Sequence, residues 1–103
     1  MSDFVPVARV EEIAPGEVKV FFVGDVPVAI ARVGERFCAF QDACTHDDGP
    51  LAEGELEGDV IVCPRHGARF NVCTGKVLAF PAVVPLTTYE VRLVGDEILV
   101  KIE

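Results

Sequence analysis

The sequence predicts an antiparallel all-β domain, a small sandwich or barrel carrying one ligand-bearing insertion. Three observations lead there. Short β-branched and aromatic runs recur between Gly-Asp and Gly-Glu pairs, and no segment keeps a 3.6-residue apolar period over three turns. The third is the stretch from Cys44 to Phe70, which breaks the meander with Gly, Pro and Asp. The 103 residues fit a single domain, 1–103, with the insertion at about 42–82. Half of them are hydrophobic, too many for a disordered chain.

Taken in order, Phe4 to Val10 reads as a strand, with Pro6 suggesting a sheet edge. After the turn at Pro15-Gly16, Glu17 to Val23 is apolar on both faces and is expected to be at least partly covered on both. Gly24-Asp25 turns the chain into Val28 to Val33, and Gly34-Glu35 turns it into Arg36 to Gln41, a hairpin by its spacing. Inside the insertion, Leu51-Ala52-Glu53 could form one helical turn, and Glu55–Glu57 with Val60–Val62 a short hairpin about Gly58-Asp59. Thr74-Gly75 turns into the strand Lys76–Leu78, while Phe80 to Pro85 cannot be a central strand because each proline lacks a ladder donor. Thr87, Tyr89, Val91 and Leu93 then alternate with polar residues as a half-buried strand. Gly95-Asp96 closes the last hairpin, with Ile98, Val100 and Ile102 on its inner face.

Composition narrows the function. A formal charge of −8 disfavours nucleic acid and anionic membranes as partners and suits a protein with a basic docking face, or simply keeps the chain soluble. No apolar run reaches the ~18–20 residues of a membrane span. Met1 to Phe4 has no basic n-region and no following apolar segment, so the expectation is no membrane association and a reducing, cytoplasmic setting. There, four cysteines argue for metal or free thiols rather than disulfides.

Both histidines of the chain fall in the insertion. Cys44-Thr45-His46 and Cys63-Pro64-Arg65-His66-Gly67 bound the stretch, with sixteen residues between His46 and Cys63. Cys44, His46, Cys63 and His66 are therefore four candidate metal ligands. A zinc site is one reading, but zinc hooks usually pair like with like, and here each hook holds one cysteine and one histidine. Mixed hooks suit a two-iron centre, in which each loop gives a cysteine to one iron and a histidine to the other.

Cys-x-His followed by Cys-x-x-His resembles the pattern of Rieske [2Fe–2S] proteins, in which two histidines replace two cysteines on one iron. The run Cys63 to Phe70 with Thr74-Gly75 is similar to the second cluster loop of small soluble Rieske ferredoxins, and the chain length and terminal hairpin match that family's stand-alone domain. The resemblance implies a Rieske-like sandwich or barrel with a two-loop cluster-binding subdomain and one [2Fe–2S] cluster per chain. It places Cys44 and Cys63 on the inner iron, and His46 and His66 on the outer, more exposed one. It also implies one-electron transfer from a flavin-dependent NADH:ferredoxin reductase to the terminal component of a Rieske oxygenase of aromatic catabolism, by a monomeric carrier with no catalytic residue of its own.

The chain departs from the respiratory-chain branch in ways that matter. That branch has an extra, disulfide-bonded cysteine in each loop, where this chain has Gly49 and Arg65. It also has a serine and a tyrosine donating to cluster sulfurs, where this chain has Ala68 and Phe70. Hydrogen bonds to sulfur stabilise the reduced cluster, so their loss predicts a potential toward the low end of the roughly −150 to +300 mV Rieske range. Two alternatives stand beside the ferredoxin: the small subunit of an NADH-dependent nitrite reductase, and a zinc-stabilised interaction module without redox activity. Of the remaining cysteines, Cys38 reads as a small core hydrophobe and Cys73 as a free thiol, with a bridge between them disfavoured by the compartment. Gly49-Pro50 and Gly67 are expected to let the loops approach the cluster, and the resemblance implies that Phe80-Pro81, by its sequence alone an irregular connection, covers it. Glu53 to Asp59 reads as a solvated face.

Overall fold

Turn chemistry and two-sided burial place ten strands in the computed structural model, which describes residues 3–45, 49–80 and 82–102. They are β1 (Phe4–Arg9), β2 (Val18–Val23), β3 (Val26–Val33), β4 (Arg36–Gln41), β5 (Leu56–Glu57), β6 (Val60–Val62), β7 (Arg69–Asn71), β8 (Val77–Ala79), β9 (Thr88–Val94) and β10 (Glu97–Lys101). Six form one sheet in the order β1-β10-β9-β4-β3-β2, and four form a second in the order β5-β6-β7-β8. All pairings are antiparallel. A 3-10 turn at Val10–Glu12 cuts the first predicted strand short, and β1 lies at the sheet edge, as Pro6 requires. Among the described residues no helix is long and apolar enough to cross a membrane.

The register explains the apolar composition of β3. Val28 and Ile30 point to one face and join a core with Ile13, Ala39, Ile98 and Val100. Ala29 and Ala31 point to the other and join a second core with Phe40, Leu51, Ile61, Phe70 and Val72. The larger sheet is thus covered on one face by its own curl and on the other by the insertion. Alternation alone would need only one apolar face; two covered faces need both. In β2 the same division holds for Val18 and Val20 against Phe21 and Val23, while Phe22, at 70% exposure, lies beyond the covered area. Burying a side chain such as Leu51, Ile61, Phe70 or Val72 is worth about 1.5–3 kcal/mol gross, so the insertion has an apolar anchorage of its own on the sheet.

Several expectations need correction. The segment Leu51–Glu53 is a hydrogen-bonded turn, Gly54 N–H donating to Leu51 O at 3.0 Å, and not a helix. Strand β7 forms where the sequence predicts only loop, its three residues lying within the second cysteine-histidine stretch and its return. The largest revision concerns Cys38 and Cys73. Neither is a free thiol: they form a disulfide that joins β4 to the turn after β7, with Cα atoms 5.0 Å apart. Cys38 does lie in the core as expected, at 9% exposure, but the 35-residue separation gave no sign that folding brings Cys73 against it.

Candidate metal centre

Side-chain acceptors and short backbone bonds fix the loops at either end of the insertion. As the chain leaves β4, Asp42 Oδ1 accepts from both Leu51 N–H and Ala52 N–H at 2.7 Å, closing the first loop at its base. Within it, Cys44 N–H donates to Gly49 O at 2.8 Å. Thr45 Oγ1 donates to Val84 O at 2.6 Å, tying this loop to the segment before β9. The second loop leaves β6 and returns as β7. Cys63 N–H donates to Ala68 O at 2.7 Å, and Gly67 N–H donates to Cys63 O at 3.0 Å. So tight a return needs a left-handed residue, and Gly67 supplies it at φ +79°. Behind β7, Asn71 Oδ1 accepts from Cys73 N–H at 2.8 Å and Thr74 N–H at 3.0 Å.

These loops bring Cys44 and Cys63 together. Both thiols are buried, and neither is in a disulfide. Burial by itself would push the Cys63 thiol up. Against it, the backbone N–H groups of Arg65 and His66 donate to the Cys63 sulfur, the Cys44 side chain lies within hydrogen-bonding reach, and the Arg65 charge is near. The net direction is down, toward the thiolate. A pair of buried sulfurs with backbone donors aimed at one of them suits thiolate ligation of iron. His66, three residues on, is exposed, so an imidazole stands at the surface end of the same loop. His46 lies outside the described residues. Among those described, no group of three His, Cys, Asp or Glu side chains converges on one point. The donor set fits a group with a buried sulfur-ligated end and an outward nitrogen-ligated one.

The surroundings bear on what such a group could do. Ala68 and Phe70 are fully buried beside the second loop, and neither side chain has a hydroxyl to donate. Glu53, Gly54 and Glu55 border a shallow recess with Cys63, Pro64 and Gly67. Only glycine fits at position 54, because a Cβ there would overlap the Val62 carbonyl oxygen. On another side lies an exposed apolar strip, Leu78, Phe80, Val83 and Val84. Phe80 is 80% exposed; Pro81 lies outside the described residues.

Sequence reasoning passed over three residues that hold these loops. Asn71, ahead of Thr74-Gly75, has a readable Asx-turn signal, and Asp42 before the first cysteine a weaker one. Arg65 is marked only as the replacement of a cysteine, and its bond to Pro50 O, fifteen residues away, has no local signal.

The chain is similar to known proteins in both sequence and fold. A family model described as the Rieske [2Fe–2S] domain matches residues 3–90. The chain is 49% identical over 92 residues to the ferredoxin component of biphenyl 2,3-dioxygenase from Rhodococcus jostii (strain RHA1), covering 89% of this chain and 86% of that one. It is 44% identical over 98 residues to ferredoxin CarAc from Metapseudomonas resinovorans, covering 94% and 92%. Among solved structures, a chain in the complex of reduced oxygenase and oxidized ferredoxin of carbazole 1,9a-dioxygenase superposes with a TM-score of 0.89 at 42% identity, covering 95% and 92%.

Proposed function

This chain belongs to the Rieske [2Fe–2S] domain family, and from that premise we propose that its buried thiols Cys44 and Cys63, with His46 and His66, hold the cluster through which it carries single electrons to a terminal oxygenase. Its relatives are ferredoxin components of dioxygenase systems, and like them it is an electron-transfer component and not a catalytic one. The cluster, when bound, supplies a centre that takes up and gives up one electron. The chain supplies the asymmetry: sulfur ligands in the core, an exposed imidazole at the surface, and a loop whose N–H groups favour thiolate at Cys63. The observation that carries the reading is the convergence of Cys44 and Cys63 within the core, under the donors of Arg65 and His66.

The donor we propose is a flavin-dependent NADH:ferredoxin reductase, and the setting the cytoplasm. The acceptor is the terminal oxygenase, as in the complex to which the chain is similar. Exposed Glu53 and Glu55 beside Cys63 favour a partner with a basic face, and the strip of Leu78, Phe80, Val83 and Val84 offers apolar contact next to the first loop. The relatives favour this role over that of a nitrite reductase subunit.

Two measurements test it. Redox titration of the iron- and sulfide-loaded protein should give a midpoint below zero, because neither Ala68 nor Phe70 can donate to a cluster sulfur; a midpoint above about +100 mV refutes that account of the potential. Reduction by the cognate reductase, followed by stopped flow, should slow as ionic strength rises from about 0.01 to 0.15 M, where the screening length falls from roughly 30 to 8 Å. Salt-independent rates would remove the acidic surface from docking.

A further inference from the structure

We propose that Arg65 is a noncovalent cross-brace between the two ligand loops, seated in the space that Gly49 leaves empty, and that this pair slows the loss of the cluster. The inference rests on the ligand assignment above. A Cβ built on Gly49 would lie 2.8 Å from Arg65 Cζ, 2.9 Å from Nη2 and 3.0 Å from Nε. Three guanidinium atoms at nearly one distance mean that the planar group lies across the glycine. From there Arg65 Nη1 donates to Pro50 O at 2.7 Å. The residue thus reaches both ways: its main-chain N–H donates to the Cys63 sulfur, and its side chain holds the loop of Cys44. Loop 1 transmits the hold directly, because Gly49 O accepts the Cys44 N–H at 2.8 Å.

Gly49 is needed here for its missing side chain and not for its backbone, which is outside the left-handed region. Alanine can therefore adopt the local conformation, and the group that must yield is the end of a flexible side chain. Lysine cannot replace arginine in full, since it keeps the charge but has no planar fork to lie on the glycine. Arg65 is exposed, so its removal opens no cavity in the core.

The test is a double-variant cycle on the loaded protein, read as the rate at which visible absorbance is lost to an iron chelator, with far-UV circular dichroism confirming that each variant is folded. Arg65→Ala should lose its cluster roughly tenfold faster than wild type, the scale of one charge-assisted hydrogen bond. Gly49→Ala should lose it about as fast, because it displaces the same guanidinium, and the double variant no faster than either. The midpoint potential should fall in Arg65→Ala, where a cation beside the sulfur ligands is gone, and return in Arg65→Lys. A Gly49→Ala protein as durable as wild type, additive losses in the double variant, or a midpoint indifferent to Arg65 overturns the brace. Failure of the wild-type chain itself to take up iron and sulfide would sink the ligand assignment instead.

Discussion

Exchange of Cys63 for serine is expected to abolish the visible chromophore and the bound iron while leaving the larger sheet folded. The thiol is 2% exposed and receives the N–H groups of Arg65 and His66, an environment built for a thiolate. A serine hydroxyl does not ionise there and is a harder ligand than the sulfur an iron–sulfur unit selects. The cost to the fold is limited. A buried hydroxyl lacking partners costs about 1–3 kcal/mol, and here the two N–H donors remain available to its oxygen. The core of Ile13, Val28, Ile30, Ala39, Ile98 and Val100 lies on the opposite face of the sheet and is untouched. His66→Ala should also lose the native spectrum, without emptying any core position, since the imidazole is exposed. Cys38→Ala, on the disulfide side, should keep its colour when loaded. A Cys63→Ser protein with wild-type absorbance and iron content would remove this residue from the ligand set.

The hairpins show what local sequence could carry. Gly34-Glu35 fixes a two-residue turn with φ +63° at the glycine, so the pairing of Val33 with Arg36 and the whole of β4 follow from the run itself. The mixed Cys-x-His and Cys-x-x-His hooks likewise mark candidate ligands, and the fold delivers the two cysteines to one buried place. What stayed hidden depends on distant partners. Strand β7 is only three residues long and owes its existence to β6 and β8 on either side. The resemblance sets Gly49 and Arg65 where a related branch has a disulfide, which implies that the two positions meet, but the seat of a guanidinium on the glycine shows only in the fold. Cys38 and Cys73 belong to the same class. Composition and inferred compartment argued against pairing, but the second core packs β4 against the turn after β7 and so brings the two sulfurs within bonding distance.

That bridge carries the other large effect. Removing it, by Cys38→Ala with Cys73→Ala or by reduction, is expected to lower stability by about 2–4 kcal/mol. In the chain-entropy treatment, closing a loop of this length restricts the unfolded ensemble by roughly 4 kcal/mol, and the alanine variants also give up buried sulfur at Cys38. For a domain of this size that is a fall in Tm on the order of 10–20 °C. The position of the loop gives the effect its direction. The covalent ring from Cys38 to Cys73 encloses both proposed ligand hooks, Cys44 to His66, together with β5, β6 and β7. It fastens the insertion to the larger sheet at the turn after β7, while Asp42 holds the start of the insertion through Leu51 and Ala52. Loss of the bridge should therefore free the insertion first. Hydrogen exchange should rise in β6 and β7 before it rises in β3 or β10, and the cluster should be surrendered to a chelator sooner. Identical melting of the oxidised and reduced chains, with unchanged protection in β6 and β7, would show that the apolar contacts of Leu51, Ile61, Phe70 and Val72 hold the insertion in place without the bridge.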